Sequence, residues 1–166
     1  MYRRIEDFTG DFRHQAEETL KLFRAIPESA AGVAIPGGRS LGRLAWHLTC
    51  SLGEIGRGAG LGQLEPHDDQ GEEVPPIAEV VEAYARSAAT LPGLLAGAWT
   101  DALLPEEITL YGRPWRRGDV LSMLLVHQAH HRGQMTVLMR QAGLAVPGMV
   151  GPAREEWGAF GMPAQR

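Results

Sequence analysis

The segment RRGDVLSMLLVHQAHHRGQ, residues 116–134, contains the most informative pattern in this chain. Apolar side chains recur in it and just after it at spacings of three and four, which is the periodicity of a helix with one buried face. This stripe consists of Val120, Leu121, Leu124, Met135 and Leu138. The pattern predicts a helix over residues 118–141, ended by Gly143. Because such a stripe must be covered by other elements, the stretch predicts a helical bundle.

Three further segments have helical periodicity. The first covers residues 2–25, and the second begins after Ser40, which is a suitable N-cap residue. The third covers residues 77–95 or slightly more, and Pro92 predicts a kink or break near its end.

The segments between the helices have a different character. Residues 56–76 are rich in glycine, proline and acidic residues, and they predict a long surface loop. Residues 106–117 predict a small β-hairpin or extended excursion, with Gly112 in the turn and Trp115 on the return. The tail, about residues 145–166, is expected to be mostly irregular. We therefore predict an all-α fold, an antiparallel four-helix bundle, as a single domain over residues 1–166.

Two histidines of the last helix lie on its predicted buried face. His127 and His131 are about 40° apart around the helix axis, whereas His130 lies about 100° from His131. Imidazoles at positions i and i+4 can converge on one metal ion. A hydrogen-bonded core histidine is the alternative, but two adjacent unpaired imidazoles are costly to bury, and protonating both adds repulsion. The residues alone leave both interpretations open.

A third ligand is expected from a neighbouring helix, since two are too few for a tight site. His47, in LGRLAWHL, is the best candidate because it lies beside the buried stripe of the second helix. Ser51 and Glu54 follow on the same side. Glu54 could act as a general base or accept a hydrogen bond from an imidazole N–H, and a solvent-facing carboxylate is the alternative.

Three other residues carry weaker predictions. Arg132 could contact an anionic substrate, although a helix-surface arginine is the commoner explanation. Trp46 points away from the stripe of the second helix, where it could make a dimer contact or pack on the first helix or the hairpin. Cys50 lies opposite the His47 side, which favours a buried inert thiol over a nucleophile.

Composition and charge narrow the possible functions. Of 166 residues, 44% are hydrophobic and 22% are charged, which favours a folded globule over a disordered chain. The formal net charge is -4, so a nucleic-acid partner is not expected. No apolar run approaches the length of a membrane span, the N-terminus lacks the apolar core of a signal peptide, and there is one cysteine. We expect a cytoplasmic protein without membrane association.

The sequence resembles the DinB/YfiT-like superfamily of metalloenzymes, which is unrelated to the DNA polymerase that shares the DinB name. The resemblance covers residues 8–144 and rests on LGRLAWHL, on RGDVL followed by VHQAHHRGQ, and on the four-helix layout. It implies an up-down-down-up bundle, frequent homodimers, and one divalent ion (nickel, zinc, iron or manganese) on His47, His127 and His131. Better understood members resemble transferases or isomerases that use a low-molecular-weight thiol such as mycothiol or bacillithiol.

The expected function follows from the number of ligands. Three imidazoles leave positions on the ion for water or substrate, which is typical of catalytic sites. We expect a metal-dependent enzyme acting on a small molecule, with a thiol S-transferase as the first hypothesis. A metal-dependent hydrolase and a non-catalytic metal-binding stress-response protein are the alternatives.

Overall fold

The computed structural model describes residues 1–71 and 73–164, and this part of the chain forms four long helices and one hairpin. The long elements are α1 (Ile5–Arg24), α2 (Leu41–Gly58), α3 (Ile77–Ala98), β1 (Glu107–Leu110), β2 (Arg113–Arg116) and α4 (Arg117–Gln141). Short 3-10 turns cover Glu28–Ala30, Asp101–Leu103 and Trp157–Phe160. The predicted all-α bundle, with a hairpin before the last long helix, is confirmed.

Local chemistry sets the ends of the helices. Ser40 caps α2 as predicted, and its hydroxyl accepts a hydrogen bond from a backbone N–H of the first turn at 3.2 Å. Gly143 follows α4 in the left-handed region, at φ 70°. The first helix begins at Ile5 and not at Tyr2, because Arg4 has an extended backbone, at φ -133° and ψ 134°. The Tyr2 N–H donates to the carbonyl of Gly118 at the start of α4.

Pro92 does not break α3, which continues to Ala98. A proline removes one backbone hydrogen bond from a helix, and the neighbouring bonds persist. Leu91 and Leu95, on either side of Pro92, are 1% and 0% exposed. Their burial favours the helical path through Pro92, so the predicted break is wrong.

The contacts between helices give their directions. Six pairs set them, in which Tyr2 directly precedes α1 and Asp101 directly follows α3. They are Tyr2 with Gly118 and Gln15 with Arg132 for α1 and α4, Ser51 with Gln128 and His47 with His131 for α2 and α4, and Ile5 with Asp101 and Phe23 with Tyr84 for α1 and α3. Along α1 and α4 the numbers of the contacting residues rise together, so these two helices are parallel. For α2 with α4 and for α1 with α3, one number rises as the other falls, so these helices are antiparallel. This is the up-down-down-up order, with α1 parallel to α4 and α2 parallel to α3.

The hairpin closes through a two-residue turn. Tyr111 and Gly112 have φ values of 53° and 70°, the geometry that matches the right-handed twist of paired strands. Ile108 lies opposite Trp115 across the two strands, and the Glu106 carbonyl accepts a hydrogen bond from the first residue of α4. The hairpin therefore leads directly into the helix that carries His127 and His131.

A polar layer crosses the apolar core next to His127. Gln128 is 1% exposed; its amide nitrogen donates to the Leu48 carbonyl at 3.2 Å, and its amide oxygen accepts from the Tyr84 hydroxyl at 3.0 Å. These bonds join α2, α3 and α4 below the histidines. Within the described residues, no helix is long and apolar enough to cross a membrane.

Candidate metal centre

α2 and α4 present three histidines to one another. His47 lies between Leu44 and Leu48, which are 3% and 0% exposed and hold this face of α2 against the core. On α4, the i and i+4 spacing stacks His127 and His131 on the side that meets α2. The antiparallel packing of the two helices therefore brings His47, which lies 80 residues before His127 in the chain, to the same place.

The Nε2 atoms of the three rings converge. The His127 Nε2 lies 3.2 Å from the Nε2 of His47 and 3.2 Å from that of His131. The ligating nitrogens all lie within 4.8 Å of one another, and the ring centroids are 4.6–5.1 Å apart. Two nitrogens bound about 2.0–2.1 Å from one ion are themselves about 3.0–3.4 Å apart. The three histidines form a group that could bind a metal ion.

The opposite ring nitrogens of His47 and His131 are held by side-chain oxygens. The Asp69 carboxylate accepts from the Nδ1 of His47 at 2.5 Å, and the Gln134 amide oxygen accepts from the Nδ1 of His131 at 2.7 Å. Both oxygens place the proton on Nδ1 and leave the lone pair of Nε2 directed at the centre of the group. Outer acceptors of this kind orient the histidines of metal sites.

Hydrogen bonds among the three imidazoles cannot satisfy all of the ring nitrogens that face one another. A neutral His127 carries one proton, so its Nε2 can donate to at most one of its two neighbours. Its Nδ1 is buried and has no hydrogen-bond partner among residues 1–71 and 73–164. A cation between the three lone pairs would satisfy all three at once, and the donor set therefore fits a metal ion.

The surroundings of His127 and His131 favour the neutral imidazole, which is the form that binds metals. Burial, reinforced by the neighbouring histidines, lowers the pKa of His127 to about 4. Burial also lowers the pKa of His131, although its hydrogen bond to Gln134 acts in the opposite direction. Burial alone would raise the pKa of Asp69, but the hydrogen bond and charge of His47 outweigh it and lower that pKa.

A cleft opens beside His131 between α4 and the start of α2. It measures about 310 Å³ and is lined by Arg39, Leu44, His131, Gln134, Val137 and Leu138, among others. We call it the His131 cleft. A cleft of this size can admit a small molecule next to the imidazoles.

The sequence model of the DinB family matches residues 1–165. The chain belongs to the DinB family. It is 37% identical over 168 aligned positions to YrdA of Bacillus subtilis strain 168, a protein described as uncharacterized, and the match covers 100% of this chain and 99% of YrdA. The family description names no reaction.

Two solved structures of DinB-like proteins have the same architecture. The crystal structure of one from Bacillus cereus ATCC 10987 superposes with a TM-score of 0.83 at 37% identity and covers 89% of this chain and 99% of its own. A DinB-like protein from Bacillus subtilis, YjoA, superposes with a TM-score of 0.66 at 17% identity and covers 86% of this chain and 97% of its own. At 17% identity, the similarity to YjoA shows a shared fold and nothing more.

Glu54 and Arg132, two other residues singled out from the sequence of this DinB-family chain, interact with residues away from the three imidazoles. Glu54 is near Tyr111 of the hairpin turn, where burial and the Glu54 carboxylate raise the pKa of the tyrosine to about 12. Arg132 is 3% exposed and donates to the Gln15 carbonyl of α1 at 2.7 Å, so the expectation of a surface arginine is wrong. It is buried because α4 packs against α1 as well as α2. His130 is exposed, and its ring meets that of His131.

Two further expectations concern α2. Trp46 is half-buried and lines a shallow cleft together with Glu79 and Ala83 of α3. Its contact with a second copy of the chain stays a prediction. Cys50 is 1% exposed, as expected, and burial with the charge of Asp69 raises the pKa of its thiol to about 12. A thiol in this state is a poor nucleophile at neutral pH.

Sequence reasoning missed Asp69 and Gln134. Gln134 follows His131 by three residues on a helix, so the spacing could have identified it. Asp69 lies in the irregular loop, where no periodicity identifies a contact. The loop reaches His47 because it crosses α2 at Gly53, where any side chain would overlap the carbonyl oxygens of Leu64 and Pro66.

Proposed function

We propose that this chain is a divalent-metal-dependent enzyme that transfers a small thiol to an electrophile, with His47, His127 and His131 as the ligands of the ion. The observation that carries the proposal is the convergence of three imidazoles, in which the His127 Nε2 lies 3.2 Å from the Nε2 of each of the other two and all three lie within 4.8 Å of one another. Membership of the DinB family supports it.

Each residue around the site has a separate role in this proposal. When bound, a divalent ion supplies the Lewis acidity that lowers the pKa of a thiol. Asp69 makes His47 a more basic ligand and fixes its ring, and Gln134 fixes the ring of His131. Three protein ligands leave room for the substrate on the side of the His131 cleft.

The transfer is a substitution between the thiol and the electrophile and needs no further reactant. The thiol loses its proton to solvent, its sulfur forms a bond to the electrophilic carbon, and the bond from that carbon to the leaving group breaks with its electron pair. Hydrolysis by water bound to the same ion is the alternative, and a nearby carboxylate acting as general base would favour it. No carboxylate is present among the described residues that line the His131 cleft, and Asp69 is bonded to His47.

Metal content and activity together test the proposal. Protein made without a histidine tag is loaded separately with zinc, nickel, iron or manganese and analysed by mass spectrometry for bound metal. Bacillithiol, mycothiol and cysteine are then assayed with monochlorobimane and 1-chloro-2,4-dinitrobenzene. We expect one ion per chain and thiol-dependent turnover in the wild type, and the loss of both in His131→Ala.

The matched control is His14→Ala, since His14 is an exposed histidine on α1. This variant should keep both metal and turnover. Wild-type protein that binds no metal under any loading condition would contradict the proposal. Metal-dependent cleavage of esters or amides without a thiol would replace the transferase by a hydrolase. Light scattering of the same samples tests the homodimer that the family resemblance implies.

A further inference from the structure

A tight turn holds Arg39 at the rim of the His131 cleft. Pro36 and Gly37 occupy the two central positions, the Gly38 N–H donates to the Ile35 carbonyl at 2.9 Å, and Gly37 has a φ of 74°. Proline followed by a residue with positive φ is the signature of a type II turn. The turn therefore has a defined shape and sets Ile35 and Arg39 at the same opening.

Arg39 is the cation of this cleft, and its positive charge also acts on Asp69 and His131. It is exposed, and in the described part of the chain its guanidinium makes no hydrogen bond and no ion pair within 4.0 Å. The start of α2 offers no alternative donors, since the N–H groups of Leu41, Gly42 and Arg43 are bonded to Val33, Ala31 and Ser40. The donors that Arg39 presents to the cleft are therefore free for a ligand.

The rest of the cleft is mainly apolar. Leu44 and Leu138 are 3% and 5% exposed and form its floor. Ile35 and Val137 line the same cleft, and they remain 49% and 57% exposed. Large aliphatic side chains left in solvent around a concave site are suited to an apolar ligand.

We propose that the His131 cleft binds an organic oxyanion, a carboxylate or phosphate with an apolar body, whose charged group is held by Arg39 and whose body lies between Ile35 and Val137. The planar guanidinium can donate two parallel hydrogen bonds to either anion. The ligand would then lie beside His131 and Gln134. That the bound oxyanion is the substrate rests on the proposed function, whereas the existence of the binding site does not.

Ligand-observed fluorine NMR tests the binding site directly. The ligands are 3-(4-fluorophenyl)propanoate, its neutral amide, and 4-fluorophenyl phosphate, each titrated with zinc-loaded and with metal-free protein. In Arg39→Gln, the dissociation constant of the propanoate or the phosphate should rise about fivefold, the upper range for an exposed charged contact, while that of the amide stays unchanged. Arg57→Gln is the matched control, because Arg57 is exposed at the other end of α2.

The outcomes separate the two proposals. The preference for an anion is the dissociation constant of the amide divided by that of the propanoate or the phosphate. A preference that falls in Arg39→Gln and not in Arg57→Gln supports the oxyanion site. The anion whose dissociation constant changes shows whether the site takes a carboxylate or a phosphate. An unchanged preference in Arg39→Gln overturns it, and so does an equal fall in both variants, which would reflect net charge. If the preference depends on Arg39 but wild-type protein binds no zinc, the proposed function fails and the oxyanion site stands.

Discussion

Removing the carboxylate of Asp69 should weaken metal binding without removing a ligand. The side chains of His47 and Asp69 are 14% and 10% exposed, so solvent screens their 2.5 Å contact only slightly. A hydrogen bond to a charged group contributes about 1.5–3 kcal/mol, and a neutral one about 0.5–1.5 kcal/mol. Asp69→Asn keeps an acceptor and loses the charge, which costs about 1.4 kcal/mol, or about tenfold in affinity. Asp69→Ala loses the acceptor as well and should cost about 10–100-fold.

Competition with a coloured zinc chelator measures these differences. The order of affinity should be wild type, then Asp69→Asn, then Asp69→Ala. Asp68→Asn is the matched control, because the neighbouring carboxylate of Asp68 accepts from the Gln70 backbone N–H and not from a histidine. Circular dichroism verifies that each variant is folded.

One result would refute the reasoning about the outer acceptor. If Asp69→Ala bound zinc as tightly as Asp68→Asn while His47→Ala lost the metal, the carboxylate would have no part in orienting His47. If Asp68→Asn and Asp69→Asn weakened binding equally, the effect would be one of overall charge in the loop.

Three further perturbations have expected outcomes. Because the pKa of His127 is about 4 in the folded state and about 6.5 when unfolded, the unfolded state binds more protons between these values. The free energy of unfolding of metal-free protein should therefore fall from pH 7 to pH 4, and it should fall less in His127→Gln. Urea denaturation at each pH measures this free energy. Gly53→Ala should lower zinc affinity because its methyl group displaces the loop that carries Asp69, whereas Gly56→Ala, whose added methyl meets only one side-chain atom at 3.9 Å, should not. Gln128→Leu should lower the free energy of unfolding by about 1–3 kcal/mol, because buried polar groups lose their partner, and an unchanged urea midpoint would contradict this.

The parts of this protein that depend on local geometry could be predicted from its sequence. A helix repeats every 3.6 residues, so the spacing of Val120, Leu124 and Leu138 predicts which face of α4 is buried. The same rule puts His127 and His131 side by side. Ser40 and Gly143 mark helix ends because capping involves only neighbouring residues.

The contacts made across the bundle and through the irregular loop depend on the complete packed chain and have no signature in local sequence. Asp69 reaches His47 from 22 residues away, along a loop whose path depends on where it crosses Gly53. Arg132 is buried because α4 packs between α1 and α2, a pairing that periodicity on one helix does not specify. Helical periodicity predicts two inward histidines on α4 and a candidate partner on α2. The packing of these helices decided that three Nε2 atoms meet, because the distance between side chains on different helices depends on the whole core.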